Sequence, residues 1–495
     1  MISTAKNTFY LLIAYIYQKL ISLFYFIVLA RYLGADDFGK YTFALSFTAL
    51  FSVLIDFGLF PVLIREVARN KDRTKDYFSN IFGFCLLLGG FTLILDAVLI
   101  NVLKYPSEIR MLVYLCSLVV LLDTLSLSVY QLFRGHLNLK FESLGIIAHK
   151  TVMLIAGLIL VYLIKAHLSL MMLPLLFGSV FYFLNAIFFL KRKLGLWPKP
   201  TFKKEILKPL LILSWPFFLA GIFAKLYATI DTILLSYLDG DQSVGWYSAA
   251  QKLTNAFLLL IAGSLSSALY PALSYYFVRS KENLNKLFNQ AVFYLMLITI
   301  PLVCGLIVLA RPIILLIYGG GYLPAISILI ILSLSIPFVF FDYIVSGLLN
   351  ACERQKINTK IHGFGVALFI VFNLISIPFW GYLGAGLSVL VSFFILFILE
   401  IHWSKKVVKI EVKYLVGKIS LIVLGSLIMS GLLFLIKNSI HIFGLALIGI
   451  AVYFICAWFF KLISKNDLKL LKQMIKPKRV FFDGDSLNQN NQSDL

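Results

Sequence analysis

Apolar runs of close to twenty residues alternate along this chain with short polar segments rich in Lys, Arg, Gly and Pro. A helix needs about 20 apolar residues to cross a hydrocarbon core of ~30 Å, so each run is long enough for one crossing. Within the runs, apolar residues follow one another without the two-residue alternation of barrel strands, which specifies α-helices. Breaking the chain at its polar and Gly/Pro clusters predicts about fourteen transmembrane spans, the first centred near Leu20 and the last near Ile450. The first run is too long for a cleavable leader, has no small-residue cleavage site and is followed at once by a second span. It is therefore read as a retained helix.

The polar hinges carry a repeat. RYLGADDFGKY, Arg31 to Tyr41, follows the first span, and YLDGDQSVGWY, Tyr237 to Tyr247, follows the seventh. Without gaps, Gly34, Gly39 and Tyr41 fall on Gly240, Gly245 and Tyr247. An even number of spans between the copies preserves their orientation. The expected fold is therefore an all-α polytopic membrane protein: two six-helix lobes as parallel pseudo-repeats about an axis along the membrane normal, plus two C-terminal helices. The expected boundaries are 1–200 and 201–408 for the lobes, 409–463 for the extra helices and 464–495 for a basic tail.

Composition strengthens the membrane assignment: the 495 residues are 61% hydrophobic and only 14% charged, against about 25% charged in soluble chains. The net charge of +21 is spread over loops and is not gathered in a soluble domain, which argues against a nucleic-acid partner. Sorted by side of the membrane, alternate connecting segments hold 33 Lys and Arg on one side and seven on the other. That asymmetry places both termini in the cytoplasm and the two hinge motifs on the outer face. Five cysteines without a CxxC pair read as packing residues, with neither a disulfide framework nor a metal site.

Ionisable residues inside spans are the candidate chemistry, because each costs at least ~2.5 kcal/mol at mid-bilayer unless it faces water or a partner. Lys19, Lys150, Lys225 and Lys252 are the basic ones. Helical spacing puts Lys252 on a face with Ser248 and Asn255, Lys225 with Thr229 and Thr232, and Lys19 with Tyr15 and Ser22. Turned inward, these stripes would line a wet, electropositive lumen suited to an anion such as a sugar pyrophosphate; turned outward, the lysines would snorkel or pair with aspartates. The substrate-binding expectation is Lys19, Lys150, Lys225, Lys252, Ser248 and Asn255. Asp56, Asp96, Asp123, Asp231 and Asp342 form the acidic set. From it, Asp56, Asp123 and Asp231 are candidates for ion coupling, since carboxylates in apolar surroundings exchange protons near neutrality, or else they are lysine partners. His149 reads as a packing residue. No catalytic residue, cofactor or phosphate-binding GK[ST] loop is expected, so ATP does not drive the protein directly.

Several stretches look like one family: ARYLGADDFGKYTFALSF, IDFGL, VGWYSAAQKL, SALYPALS, YGGGY and LNACERQKINTKIHGFGVALFIVFNLISIPFWGYLGAGLS. Over about residues 7–406 the chain resembles the Wzx-like polysaccharide and oligosaccharide flippases of the multidrug/oligosaccharidyl-lipid/polysaccharide exporter superfamily. The resemblance implies a two-lobed transporter in the cytoplasmic (inner) membrane of a prokaryote. Such a protein moves a polyprenyl-pyrophosphate-linked oligosaccharide to the outer leaflet by alternating access, alongside a glycan polymerase and assembly proteins. Two other readings compete. A cation-coupled drug or metabolite antiporter of the same superfamily calls for an acidic residue in the first span, where this chain has Lys19. A membrane-embedded glycan polymerase or glycosyltransferase needs a long outer loop, and the outer loops here are short.

Two segments lie outside the spans. LGLWPKPTFKKEILKPL joins the lobes and reads as an interfacial linker held by anionic membrane lipids, each Lys worth ~1 kcal/mol near such a surface. NDLKLLKQMIK reads as a short basic surface helix starting at Asn466, followed by a disordered polar tail.

Overall fold

The computed structural model describes residues 2–258, 264–437 and 439–462. The surface helix and tail expected after Lys461 lie outside them. In chain order the helices are α1 (Ile2–Asp56), α2 (Leu59–Arg69), α3 (Thr74–Val102), α4 (Ser107–Gly135), α5 (Lys140–Leu158), α6 (Leu173–Leu194), α7 (Lys204–Asp239), α8 (Asp241–Leu258), α9 (Ser264–Arg279), α10 (Lys281–Val308), α11 (Ala310–Ile317), α12 (Ala325–Ala351), α13 (Gln355–Ser404), α14 (Val412–Ile436) and α15 (Ile442–Phe459). Among the described residues, eleven helical segments are long and apolar enough to cross a membrane. Two of these are hairpins in disguise, because α1 breaks at Gly34 and α13 at Gly381, both with positive φ.

The chain forms two compact units. In the larger, α1 packs on α3, α4 and α5, and α4 on α6, while α12 packs on α8, α9 and α13, and α13 on α7. These are the two lobes, and they meet where α1 crosses α7 and α8 and where α2 meets α7. The smaller unit gathers Met296–Val308 of α10 with the described residues from Glu411 to Leu462. Within it, α14 packs on α15, and the Tyr453 hydroxyl donates to the Leu297 carbonyl at 2.7 Å.

The repeated hinge is repeated in backbone conformation. Gly34 has φ 74° and ψ 176°, and Gly240 has φ 91° and ψ 171°, a region that a side chain makes costly. The second glycine of each copy is needed for another reason. A Cβ on Gly39 would overlap the Asp241 carbonyl, and one on Gly245 would overlap the Ala35 carbonyl. Residue 35 stands to 241 as 39 stands to 245, so the two contacts exchange under the repeat, which is the signature of a local two-fold axis. Thr42 and Ser248, 206 positions apart, hydrogen-bond each other at 3.3 Å through their hydroxyls. One offset therefore relates all three pairs.

A single apolar cluster seals this end of the bundle, running from Leu29, Phe38, Tyr41 and Phe43 of the first lobe to Val244, Tyr247, Tyr318 and Tyr322 of the second. Polar clasps reinforce it, again in pairs. The Tyr322 hydroxyl donates to the Ala30 carbonyl at 2.8 Å, and Tyr105 meets Ser236, which stands one offset from Ala30, at 3.3 Å. Arg31 adds a contact without a counterpart: its guanidinium donates to the carbonyls of Ile317, at 2.7 Å, and Leu316 at the C-terminus of α11. Cations are favourable there because the last carbonyls lack helical partners. Asp36 and Asp37 of the ADD motif pair with Lys40 at 2.9 and 2.8 Å, a local helix-start arrangement. The five cysteines are free.

The linker between the lobes is docked, not loose. Thr201 N–H donates to Ser79 O at 3.1 Å, Lys203 N–H donates to Asn80 Oδ1 at 2.6 Å, and the Lys203 ammonium pairs with Asp76 at 3.3 Å.

Candidate functional site

Beyond the sealed crossing, the spans carry their intramembrane charges at similar depths. Lys19 and Lys225 each lie roughly 22 Å along the helix from their hinge glycine, and Lys252 lies a turn below Ser248 on the other side of the crossing. Lys19 and Lys225 are also related by the repeat offset of 206, so the first helix of each lobe presents a lysine at the same position.

Their surroundings differ. Lys225, partly buried, lies within charge range of Asp56 of the other lobe. The residue one offset from Asp56 is Ala262, and Lys19 has no corresponding acid. Lys19 instead lies within charge range of Lys150 and Lys252. Three ammonium groups from α1, α5 and α8 thus share one region, with Asp123 near Lys150 and Asp231 near Lys252. Lys19 and Lys252 are exposed and Lys150 is partly buried. Among the described residues, none of the four lysines has a carboxylate within salt-bridge distance. Like charges held within range of one another repel, and more strongly in a partly buried region than in bulk water. The trio is therefore a place where a bound anion gains, and Phe26 offers a face to the Lys252 ammonium at 5.1 Å.

The polar residues sort around this cluster. Asn255 is exposed, near Lys252 on the next turn of α8. Ser248 is buried and bonded to Thr42 in the crossing. Thr229 is turned back to the Lys225 carbonyl at 2.8 Å. Tyr17 bonds Thr151 at 2.7 Å and ties α1 to α5 beside Lys150. His149 is buried, stacked on Tyr182 with ring centres 5.1 Å apart.

The three candidate coupling carboxylates occupy different settings. Asp56 ends α1 at a two-residue left-handed break, Phe57 and Gly58, and Phe57 stacks on Phe218 of α7 at 4.1 Å. Asp123 is partly buried and its Oδ1 has no hydrogen-bond donor. Asp231 is 0% exposed and saturated: it accepts from the Tyr247 hydroxyl at 2.5 Å, Gln251 Nε2 at 3.0 Å and Thr232 N–H at 2.7 Å.

Sequence reasoning passed over two features. Arg134 and Tyr15 close around Glu142, with Arg134 Nε donating to Glu142 Oε2 at 2.6 Å. In the second lobe, Asp342, His362 and Glu400 come together from three spans. Glu400 and His362 sit near span ends, where hydropathy reads polar residues as boundaries.

Two pseudo-symmetric helical lobes meeting at one sealed end, with intramembrane cations beyond it, define a class of polytopic α-helical membrane proteins. The chain belongs to the polysaccharide biosynthesis protein family, whose model matches residues 4–277; the MatE model matches residues 216–375. It is 25% identical over 410 residues, 81% of this chain and 99% of the relative, to the capsular polysaccharide biosynthesis protein CapF of Staphylococcus aureus. It is 22% identical to the probable low-salt glycan biosynthesis flippase Agl15 of Haloferax volcanii, over 91% of this chain and 93% of the relative. Its fold is similar to that of the lipid II flippase MurJ, with a TM-score of 0.74, 19% identity and coverage of 90% of this chain and 98% of that one. It is similar also to a multidrug resistance MATE family transporter, with a TM-score of 0.63, 16% identity and coverage of 79% and 94%.

Proposed function

We propose that the protein is a flippase that moves a polyprenyl-pyrophosphate-linked oligosaccharide from the cytoplasmic to the outer leaflet of the cytoplasmic membrane. The observation that carries the substrate assignment is the trio Lys19, Lys150 and Lys252, in which Lys19 lies within charge range of both other cations and none is locked to a carboxylate. A pyrophosphate brings concentrated negative charge, and ammonium groups neutralise it without demanding one geometry. Relatives named as flippases and a capsular polysaccharide protein support the same reading.

With both termini cytoplasmic, the Lys/Arg-poor crossing of Gly39 and Gly245 faces outward and is closed, so the cationic region is reached from inside. Asn255 supplies a hydroxyl-bonding group beside it, and Lys225, balanced by Asp56, contributes less. Asp123, by the trio, is the best placed of the three predicted coupling carboxylates. Asp56 serves Lys225, and Asp231 holds α7 to α8. The linker around Trp197 and its lysines rest on anionic lipid. A glycan polymerase and assembly proteins receive the product on the outer side.

The test is a Lys252→Ala variant in the native host. It should insert normally, stop glycan export and leave the lipid-linked intermediate on the cytoplasmic leaflet, with Lys225→Ala milder. Normal export by Lys252→Ala and by the Lys19→Ala/Lys252→Ala pair removes the cationic mechanism.

A further inference from the structure

Two glutamates are almost fully buried in the described spans, Glu142 in the first lobe at 1% exposure and Glu400 in the second at 2%. They have opposite neighbours. Glu142 is gripped by the Arg134 guanidinium, whose charge offsets its own. Glu400, on α13, lies within hydrogen-bond range of another carboxylate, Asp342 on α12. Neither Glu400 Oε2 nor Asp342 Oδ1 has a donor. Among the described residues, no Lys or Arg pairs with either, and the nearest basic atom is His362 Nε2, 3.6 Å from Asp342 Oδ1.

Two carboxylates cannot share a hydrogen bond unless one of them carries the hydrogen, and two bare anions side by side in apolar surroundings repel strongly. The packing is apolar: Phe338 and Phe341 of α12 meet Phe397 of α13 at 5.3 and 4.8 Å. No group of three or more His, Cys, Asp or Glu among the described residues is arranged to hold a metal ion. The remaining polar neighbours are few. Tyr227 of α7, its hydroxyl without a partner, is within charge range of both acids. Tyr343 adjoins Asp342, and Ser346 bridges His362 Nε2 at 2.9 Å and Asn358 Oδ1 at 3.0 Å.

We propose that Asp342 and Glu400 together bind one exchangeable proton, forming a proton-coupling site in the second lobe that is separate from the cationic trio and open to water through His362. With the proton bound, one acid donates to the other carboxylate and the pair carries a single negative charge. On release, the proton passes to water at the His362 side chain, which is 29% exposed, and two carboxylates are left facing each other. Their repulsion bears on α12, α13 and Tyr227, and Tyr227 lies two residues from Lys225 on the helix that meets the first lobe. Proton occupancy is thereby linked to how the lobes meet.

This inference rests on the flippase reading only for its transport consequence, so two measurements separate the parts. Infrared spectroscopy of the purified full-length protein at neutral pH should show a buried carboxylic-acid carbonyl stretch, lost in both Asp342→Asn and Glu400→Gln and retained in Asp123→Asn. In proteoliposomes with a polyprenyl-pyrophosphate-linked oligosaccharide, a gradient of one pH unit can shift a one-proton equilibrium by at most about tenfold. The wild type should respond within that limit, while Glu400→Gln and Asp342→Asn, still folded by thermal unfolding, should translocate at a rate indifferent to the gradient. No protonated-carboxyl band in the wild type, or a band that survives both substitutions, overturns the site. A band without any translocation by the wild type leaves the site standing and refutes the flippase reading instead. A gradient response preserved in both variants refutes the coupling.

Discussion

Replacing Gly245 with Ala tests the crossing directly. The added methyl would overlap the Ala35 carbonyl, backbone atoms that cannot swing aside, so α8 must move from α1 by on the order of 1.5 Å to reach ordinary carbon–oxygen contact. Overpacking of this kind costs ~1–3 kcal/mol. The cost falls only on the state in which the lobes touch here, so it becomes a shift of roughly 5–150-fold toward the state in which they are apart. Gly39→Ala, which meets the Asp241 carbonyl, should act in the same direction and by a similar factor. The double variant should fall short of the sum, because one separation relieves both clashes. Gly90→Ala on α3 has open space around its Cβ and serves as the neutral control. The assay is the rate at which a membrane-impermeant maleimide labels Thr42→Cys, a position 4% exposed when the lobes touch. If Gly245→Ala and Gly39→Ala label no faster than the Gly90→Ala control, the crossing is not a gate.

Other outcomes follow from the same contacts. Thr42→Cys with Ser248→Cys should form a disulfide under oxidation, since the native hydroxyls are 3.3 Å apart, and the bridged protein should stop transporting until it is reduced; bridged protein that still transports rules out opening at this point. Arg134→Ala leaves Glu142 buried and unpaired, a loss of ~3–5 kcal/mol by analogy with broken buried ion pairs. It should lower the unfolding temperature in detergent far more than Glu142→Gln, and equal stability of the two variants would contradict this.

Much of the fold was legible because it is written in hydropathy and in one short repeat. Gly34 and Gly240 could be matched by eye, and their shared left-handed backbone follows from the residue type. That Gly39 touches Asp241 across the lobes was not legible, since a repeat shows that two segments are alike and not that they meet. Ser248 shows the limit of helical spacing: the period put it on the Lys252 face, but its turn of α8 is the one pressed against Thr42. Lys19 and Lys225 were each found as intramembrane charges, and the same offset that pairs the glycines pairs them too. Their difference comes from Asp56, which tertiary contact alone brings to Lys225. Glu400 and His362 were hidden by position, because polar residues near the end of an apolar run look like its boundary.

The central claim is that the unpaired ammonium groups of Lys19, Lys150 and Lys252 hold the pyrophosphate of the passenger. The most direct measurement is equilibrium binding of a polyprenyl-pyrophosphate-linked oligosaccharide to purified protein, beside the uncharged polyprenol carrying the same glycan. The account predicts that the pyrophosphate form binds at least tenfold tighter, about 1.4 kcal/mol, and that Lys19→Ala with Lys252→Ala removes this preference while Lys→Arg at both positions keeps it. Equal binding of the charged and uncharged lipids, or a preference untouched in the double Ala variant, would contradict it.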